Sequence, residues 1–536
     1  MRRGAKIATG VVAATLVGAA GVGAYSLVDA VTDTGEAQAA PVRTGPPTAD
    51  ETERTARDFL AAWAGGDTAR AAALTTDAGA AGTALAGYRE TAHVEQVAFK
   101  RGTAEGAKVP FSVTAHVAYG DKRSTWTYDS ALEVVRGRTT GKALVDWRPA
   151  VLHPKLTPGQ TLRTGPSGTP QVAITDRDGR EISESDYPSL TPLLPALRKR
   201  FAEKAGSTPA IEVRAEGGTA PTAGRPPLHT VAPGKPGTLR TTIGAAAQRA
   251  AESAVSRHAD ASVVAVKAST GEILAVANAK RTEFNPALSG QTAPGSTLKI
   301  VTSALLLEQG KASPGKPLPC PKTATYGMTF HNVESSENPG ATFAQDFAAS
   351  CNTAFIGLAG QLSDDALATE ARDVFGLGLE WKAGVPTFDG SVPSDGGAGK
   401  AAAMIGQGRV QMNPLNMASV AATVRAGSFH QPYLVDPSVD GRTLARAARP
   451  LPPQVAGDLR AMMHRTAVSG TAAKAMSGLD GDTGAKTGSA EVDGQTAPNG
   501  WFTAYRDDVA AAAVVPGGGH GGDSAGPVVA AVLRAS

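Results

Sequence analysis

The chain has 536 residues, with 52 lysines and arginines against 49 acidic residues and a formal net charge of +3. That length exceeds one ordinary hydrophobic core and predicts two to four folded units. The near balance of charge removes the reason to expect a nucleic-acid partner, whose binders carry a clustered basic surplus, and two cysteines cannot scaffold a fold of this size.

Arg2, Arg3 and Lys6 lie in a short predicted cytoplasmic tail, residues 1–6, ahead of an uncharged run from Ile7 to Val28, close to the roughly 20 residues a membrane helix needs. Positive flanks stay in the cytoplasm, so residues 7–28 read as a single-pass membrane anchor, with the bulk of the chain on the extracytoplasmic side. The competing reading is a cleaved signal peptide, because Ala37-Gln38-Ala39 imitates a cleavage site. That triplet lies beyond Asp29, Asp33 and Glu36, far past the apolar run, and the anchor is preferred. No cysteine lies near this end to carry a lipid. Cys320 and Cys351 are left open: an oxidising location permits a pair, and two buried thiols fit as well.

A polar linker covers residues 29–49. Thr48 with Glu51 forms a capping box, after which Ala56, Phe59, Leu60 and Trp63 share one helical face. Val109, Phe111, Val113, Ala115, Val117 and Tyr119 alternate strictly, and segments around Trp126 and Trp147 also read as strands. Residues 50–150 are therefore expected to form a small α+β domain, without a cluster of catalytic groups. Residues 151–237 read as a connector of limited structure, with a strand-turn signal at QVAITDRDGREI, one amphipathic helix over 194–204 and a Pro/Gly-rich tract.

The remainder, 238–536, has a clearer plan. ASVVAVKASTGEILAVANA, from Ala261, reads as strand, turn, strand, and AKTGSAEV, GWFTAYRD and DVAAAAVVP read as three more, followed by a helix over 524–535. Two strands before a long helical insertion and three after it predict one five-stranded antiparallel sheet built from both ends of this region. The helical subdomain would face it across a cleft.

Within the insertion, APGSTLKIVTSALLLEQG begins at Ala293, and Lys299 is the one charged residue up to Leu307. A buried ammonium is costly unless it is paired or loses its proton. Pro294 suits a first helical position, which puts Ser296 at a helix N-terminus and Lys299 three residues on, along the same face. A desolvated lysine beside a hydroxyl can accept its proton, which is what a serine nucleophile requires. Against this stand the plainer readings of a serine cap and a solvated lysine. A second Ser-x-x-Lys, Ser313 to Lys316, is interrupted by Pro314 and Gly315 and does not suit a helix. Ser350-Cys351-Asn352 and Lys486-Thr487-Gly488 supply candidate partners. Ser336-Glu337-Asn338 is a decoy before a Pro-Gly turn. Lys486 and Thr487 offer a cation and a hydroxyl for a carboxylate, and Gly488 would let a substrate backbone come close.

Together, SxxK, SxN and KTG resemble the signature of the penicillin-binding proteins and serine β-lactamases. NPALSGQTAPGSTLKIVTSALLLEQG, ATFAQDFAASCNTAFIGLA, MIGQGRVQMNPLNMASVAATV and TGAKTGSAEVDGQTAPNGWFTAY are similar, in this order, to the transpeptidase domain of class B penicillin-binding proteins. More loosely, ITDRDG resembles the start of that family's dimerisation region. The domain before it resembles the extra N-terminal domain of methicillin-resistance-type members. Nothing resembles a glycosyltransferase domain.

The resemblance implies a serine β-lactamase/transpeptidase-like α/β (α+β) fold and a peptidoglycan D,D-transpeptidase that is acylated by β-lactams. Ser296 would attack the D-Ala-D-Ala carbonyl while Lys299 takes its proton, and the backbone N–H groups of Ser296 and Ser489 would form the oxyanion hole. Ser350 would relay a proton to the leaving D-alanine, Asn352 would hold the peptide amide, and Lys486 and Thr487 would bind the terminal carboxylate beside Gly488. Lys486 would also tune Ser350. Ser489 stands where many members have Thr, and Ala485 where a Gly is usual. No cofactor or metal is implied. Expected partners are stem peptides, β-lactams, the cytoplasmic membrane and other wall-synthesis proteins.

Rivals are a D,D-carboxypeptidase or β-lactamase, and a non-catalytic β-lactam sensor or wall-assembly scaffold. The deacylating glutamate of class A β-lactamases has no counterpart, since Glu370 and Glu380 lack a following Asn at the right spacing. GGGHGGD, from Gly517, lacks a P-loop ending and reads as a strand-to-helix loop. The nine histidines show no metal spacing, and no GxSxG elbow occurs. Trp501 and Phe502 read as strand core, with Trp501 near the cleft.

Overall fold

The computed structural model describes residues 43–536 apart from 168–171, 219–225, 281 and 493. The expected tail at 1–6, the anchor at 7–28 and the linker as far as residue 42 lie outside the described residues. Among the described residues, no helix is long and apolar enough to cross a membrane. The chain divides into two units: one takes residues up to 86 with 97–114 and 127–159, the other 87–96, 115–126 and 160–536.

In the first unit the helix Ala49–Ala64 begins at the expected capping box, Glu51 N donating to Thr48 Oγ1 at 3.3 Å and Thr48 N to Glu51 Oε2 at 2.9 Å. Arg136 reaches the same carboxylate at 2.6 Å and, with the Thr48 amide, holds it down to about 2. Ala56, Phe59, Leu60 and Trp63 are all buried, as one stripe of a 3.6-residue period demands. The strands Val94–Arg101, Lys108–Tyr119, Lys122–Arg136 and Ala143–Val145 form a sheet in chain order. Along the second of these Val109, Phe111, Val113, Ala115 and Val117 are buried, and Tyr119 is half-buried. The fourth strand falls in the segment expected around Trp147, though Trp147 itself is not part of it. Trp147 lies past the strand's end and packs its ring 6.5 Å from that of Phe59.

In the second unit, the stretch expected to have limited structure carries regular pairing. Gln160–Ser167 pairs antiparallel with Ala210–Gly217, which pairs with His229–Ala232, and Val172–Thr175 runs parallel to Gly237–Arg240. Each strand is short and most partners lie far along the chain, so no hairpin spacing announces them. The helix Leu194–Phe201 buries Leu194, Leu197 and Phe201.

The five-stranded sheet has the order Ile273–Asn278, Ser262–Lys267, Val509–Val515, Asn499–Arg506, Thr483–Ala490, every neighbouring pair antiparallel. Alternate side chains enter different cores. Val263, Ala265, Ala511 and Ala513 pack with the helices Ala245–Val255 and Ala525–Arg534. Val264, Val266, Ala510, Ala512 and Val514 face the larger core that includes the buried helix Pro414–Ala426. Burial on both faces explains why these strands read as unbroken apolar runs. Trp501 is fully buried in this core rather than bordering a cleft. Thr483–Ala490 is the sheet edge, and there the site lies.

Candidate active site

Ser296 does not open the α-helix. It sits half-buried on a 3₁₀ turn, Gly295–Leu298, and the α-helix Lys299–Glu308 starts at the lysine. Pro294 precedes the turn instead of opening the helix. The tighter winding matters, because residues i and i+3 eclipse in a 3₁₀ turn, and Lys299 follows Ser296 by three at the turn's end. Gly295 has φ +54°, and a Cβ there would stand 2.5 Å from Ser489 O. A Cβ on Gly488 would meet Pro294 O at 2.8 Å. Gly488, expected to admit a substrate backbone, thus admits the protein's own serine-bearing turn against the sheet edge.

Lys299 is fully buried. Its Nζ donates to Ser350 O at 2.8 Å and Asn352 Oδ1 at 2.7 Å, and stands 5.3 Å from the Phe355 ring centroid. Burial pushes its pKa well below the usual lysine value, the charge of Lys486 pushes it further, and Asp346 opposes. Lys486, on the edge strand, is also fully buried, and its Nζ donates to Ser350 Oγ at 2.8 Å and Thr487 O at 2.9 Å. Burial lowers its pKa to about 7.

Ser350 therefore lies between two lysines, one on its carbonyl and one on its hydroxyl. It caps the helix Phe343–Ala349 with φ +63° and ψ 31°, a left-handed conformation that a non-glycine residue adopts at an energetic cost. That geometry ends one helix and, two residues on, starts the next, Asn352–Ile356. Thr487 is buried, with Thr471 Oγ1 2.6 Å from its own Oγ1. Thus Lys299, Ser350, Asn352 and Lys486 meet directly, Thr487 and Ser489 flank them on the strand, and the serine-bearing turn packs against that strand. The decoy serine 313 lies in a loop turn, and Lys316 is exposed.

Five further residues surround the site, and Asp346, Thr471 and Asn332 carry no sequence signal of their own. Cys320 and Cys351 form a disulfide, so the middle residue of Ser350-Cys351-Asn352 is covalently tied to a loop 31 residues upstream. Asp346 is buried, with Oδ2 unpartnered among the described residues, and burial raises its carboxyl to about 7. Its carboxylate lies within 4.8 Å of both sulfurs, but these are consumed in the disulfide and offer a metal no thiolates. Thr471 and Asn332 complete the set. Hydroxyl and amide side chains at turns are common, and only tertiary contact distinguishes these.

Glu370 is engaged elsewhere. On the helix Ala366–Asp373 it is buried, with Arg449 at 2.8 Å, and burial together with the nearby Glu308 raises its carboxyl from 4.5 to about 7. A carboxyl raised on folding adds stability below its unfolded pKa and loses it as pH rises through the folded one. Glu370→Gln is expected to reduce the fall in stability between pH 4.5 and about 7 and to leave acyl-enzyme hydrolysis unchanged. Denaturant melts across that range and a deacylation assay check this.

Residues 261–534 match the penicillin binding protein transpeptidase domain, and residues 51–160 match the NTF2-like N-terminal transpeptidase domain. The peptidoglycan D,D-transpeptidase PbpA of Mycolicibacterium smegmatis is 30% identical over 363 residues, 56% of this chain and 72% of that protein. PbpA of Mycobacterium tuberculosis is 30% identical over 285 residues, 47% of this chain and 56% of that protein. Among solved structures, Pseudomonas aeruginosa PBP2 shares the fold with a TM-score of 0.55 at 21% identity, covering 70% of this chain and 96% of that one. With the transpeptidase match extending over half of its length, the chain belongs to the penicillin-binding protein transpeptidase family of serine acyl-transfer enzymes and carries that family's NTF2-like N-terminal domain.

Proposed function

We propose that the protein is a membrane-anchored peptidoglycan D,D-transpeptidase whose acyl-serine is Ser296. The observation that carries this reading is the meeting of two buried lysines on Ser350, beside the serine-bearing turn. A neutral amine has two N–H groups and one lone pair. Lys299 has two acceptors, Ser350 O and Asn352 Oδ1, which occupy both N–H groups and leave the lone pair for the Ser296 proton.

Ser296 Oγ then attacks the carbonyl of the penultimate D-alanine in a stem peptide. Negative charge develops on the carbonyl oxygen, where the N–H groups of Ser296 and Ser489 receive it, each worth roughly 2.7 to 4 kcal/mol in the transition state. The C–N bond breaks, and the departing D-alanine amine takes a proton through Ser350 Oγ, which Lys486 holds by donating to it. Lys486 and Thr487 bind the terminal carboxylate, Asn352 the peptide amide. Thr483–Ala490 is an edge strand, and an extended donor peptide can pair along it. An amine from a neighbouring stem peptide attacks the resulting ester, which forms the cross-link and frees Ser296. A β-lactam enters by the same attack and stays.

The tie of Glu370 to Arg449 favours aminolysis over hydrolysis. The disulfide favours an oxidising, extracytoplasmic location, in keeping with an anchor at residues 7–28 and a transpeptidase domain over 238–536. The small domain at 50–150 and the connector at 151–237 would space that domain from the membrane and meet other wall-synthesis proteins. The test is product analysis with a pentapeptide donor, with and without an acceptor amine. Cross-linked dimer and released D-alanine are expected, while release of D-alanine with hydrolysed tetrapeptide alone would make the enzyme a carboxypeptidase.

A further inference from the structure

Asn332 belongs to none of the motif segments, yet its side-chain amide is fully engaged and 2% exposed. Oδ1 accepts from the backbone N–H groups of Asn352 at 2.8 Å and Thr353 at 3.1 Å. Nδ2 donates to Pro321 O and Ser336 O, each at 2.8 Å. The two N–H groups are the first of the helix Asn352–Ile356, and helix-initial N–H groups have no partner within their own helix. The preceding residue is Cys351, whose sulfur accepts weakly from Ala354 N at 3.4 Å. The cap of this helix is thus supplied in large part by an asparagine 20 residues upstream.

The bonds continue toward the reacting groups. Asn352 Oδ1 accepts from Lys299 Nζ at 2.7 Å, and Asn352 Nδ2 donates to the carbonyl of His331, next to Asn332, at 3.2 Å. One connected path therefore runs from the loop carbonyls through Asn332 to the start of the helix, through Asn352, and to the amine of Lys299. Asparagine suits the post because it both accepts and donates. Aspartate offers only acceptors and alanine neither.

We infer that Asn332 is a positioning residue for acylation: by capping the Asn352 helix it aims Asn352 Oδ1 so that Lys299 keeps its lone pair free for Ser296. This rests on Lys299 serving as the base. The Cys320–Cys351 disulfide ties the same loop to the same helix and remains when Asn332 is replaced. The expected loss is therefore one of aim rather than of fold.

The experiment measures acylation of the full chain by a fluorescent penicillin, separating the dissociation constant of the non-covalent complex from the acylation rate constant. It is run on the parent, Asn332→Ala, Asn332→Asp and Ser296→Ala. Asn332→Ala is expected to lower the rate constant by about 10- to 100-fold, the scale of misaimed catalytic groups, with the dissociation constant within about 2-fold. Asn332→Asp keeps acceptors for both N–H groups and should recover part of that rate. If Asn332→Ala fails to fold, Asn332→Asp decides: a rate at least about 3-fold below the parent at unchanged dissociation constant supports the inference. Acylation at the parent rate by Asn332→Ala, or by Asn332→Asp when it alone folds, overturns it. So does an aspartate variant no better than a folded alanine one, or an equal loss in binding. Label retained by Ser296→Ala refutes the nucleophile instead, a result separate from the others.

Discussion

Ser296→Ala is expected to abolish covalent labelling by a fluorescent penicillin, a loss on the order of 10⁶-fold for removal of a serine nucleophile, while Ser313→Ala labels like the parent. Both serines begin an SxxK pattern, and the surroundings separate them. Lys316, three residues after Ser313, is exposed to solvent, whereas Lys299 is fully buried with two acceptors on its nitrogen. Ser296 is half-buried on a turn. The alanine variant should therefore melt within a few degrees of the parent, and gel fluorescence alongside thermal melts gives the answer. Loss of label at Ser313 alone would exchange the two roles.

Lys299→Met should lower the acylation rate constant by about 10²- to 10⁴-fold, the usual contribution of a positioned base. Methionine keeps the length and apolar stem of lysine and relieves the desolvation of a buried amine, while leaving Ser350 O and Asn352 Oδ1 without a donor. These effects oppose each other, and a small change in melting temperature is expected. The pH profile distinguishes a lost base from a lost contact. A general base must be neutral, so the parent rate falls as pH drops and Lys299 gains its proton. Burial and the facing charge of Lys486 push that event down, Asp346 pushes it back, and Lys486 itself takes its proton at about 7. The acid limb should therefore lie well below the value of about 10.4 for an exposed lysine. Lys299→Met should lack this limb, and stopped-flow acylation from pH 4 to 9 measures both. An unchanged profile in the variant would remove Lys299 as the base.

Much of the site was legible because its chemistry uses unusual residues in local patterns. One lysine in an otherwise apolar segment stands out, since a buried ammonium is expensive, and Lys486-Thr487-Gly488 sits within a run that reads as a strand. The winding of the turn was not legible. Pro294 is compatible with a helix start, and the close packing of Gly295 on Ser489 O and of Gly488 on Pro294 O that goes with the 3₁₀ turn joins segments far apart in the chain. Asn332 and Thr471 were invisible for a related reason: their partners lie 20 and 16 residues away, beyond any helical or strand period. The pairing of Cys320 with Cys351 stayed open because two cysteines specify a possible bond but not a distance.

By itself the sequence determined the strands of the central sheet, the helix that opens the small domain, and the residue types of the three motifs. Each of these depends on periodicity, on capping or on side-chain chemistry within a few residues. Only the tertiary structure decided that Lys299 and Lys486 converge on Ser350, that the edge strand receives the serine turn, and that the segment around residues 160–240 folds into paired strands. Those outcomes depend on which distant surfaces exclude water together, and burial of an amine, with the pKa it produces, is a property of the assembled walls rather than of the residue.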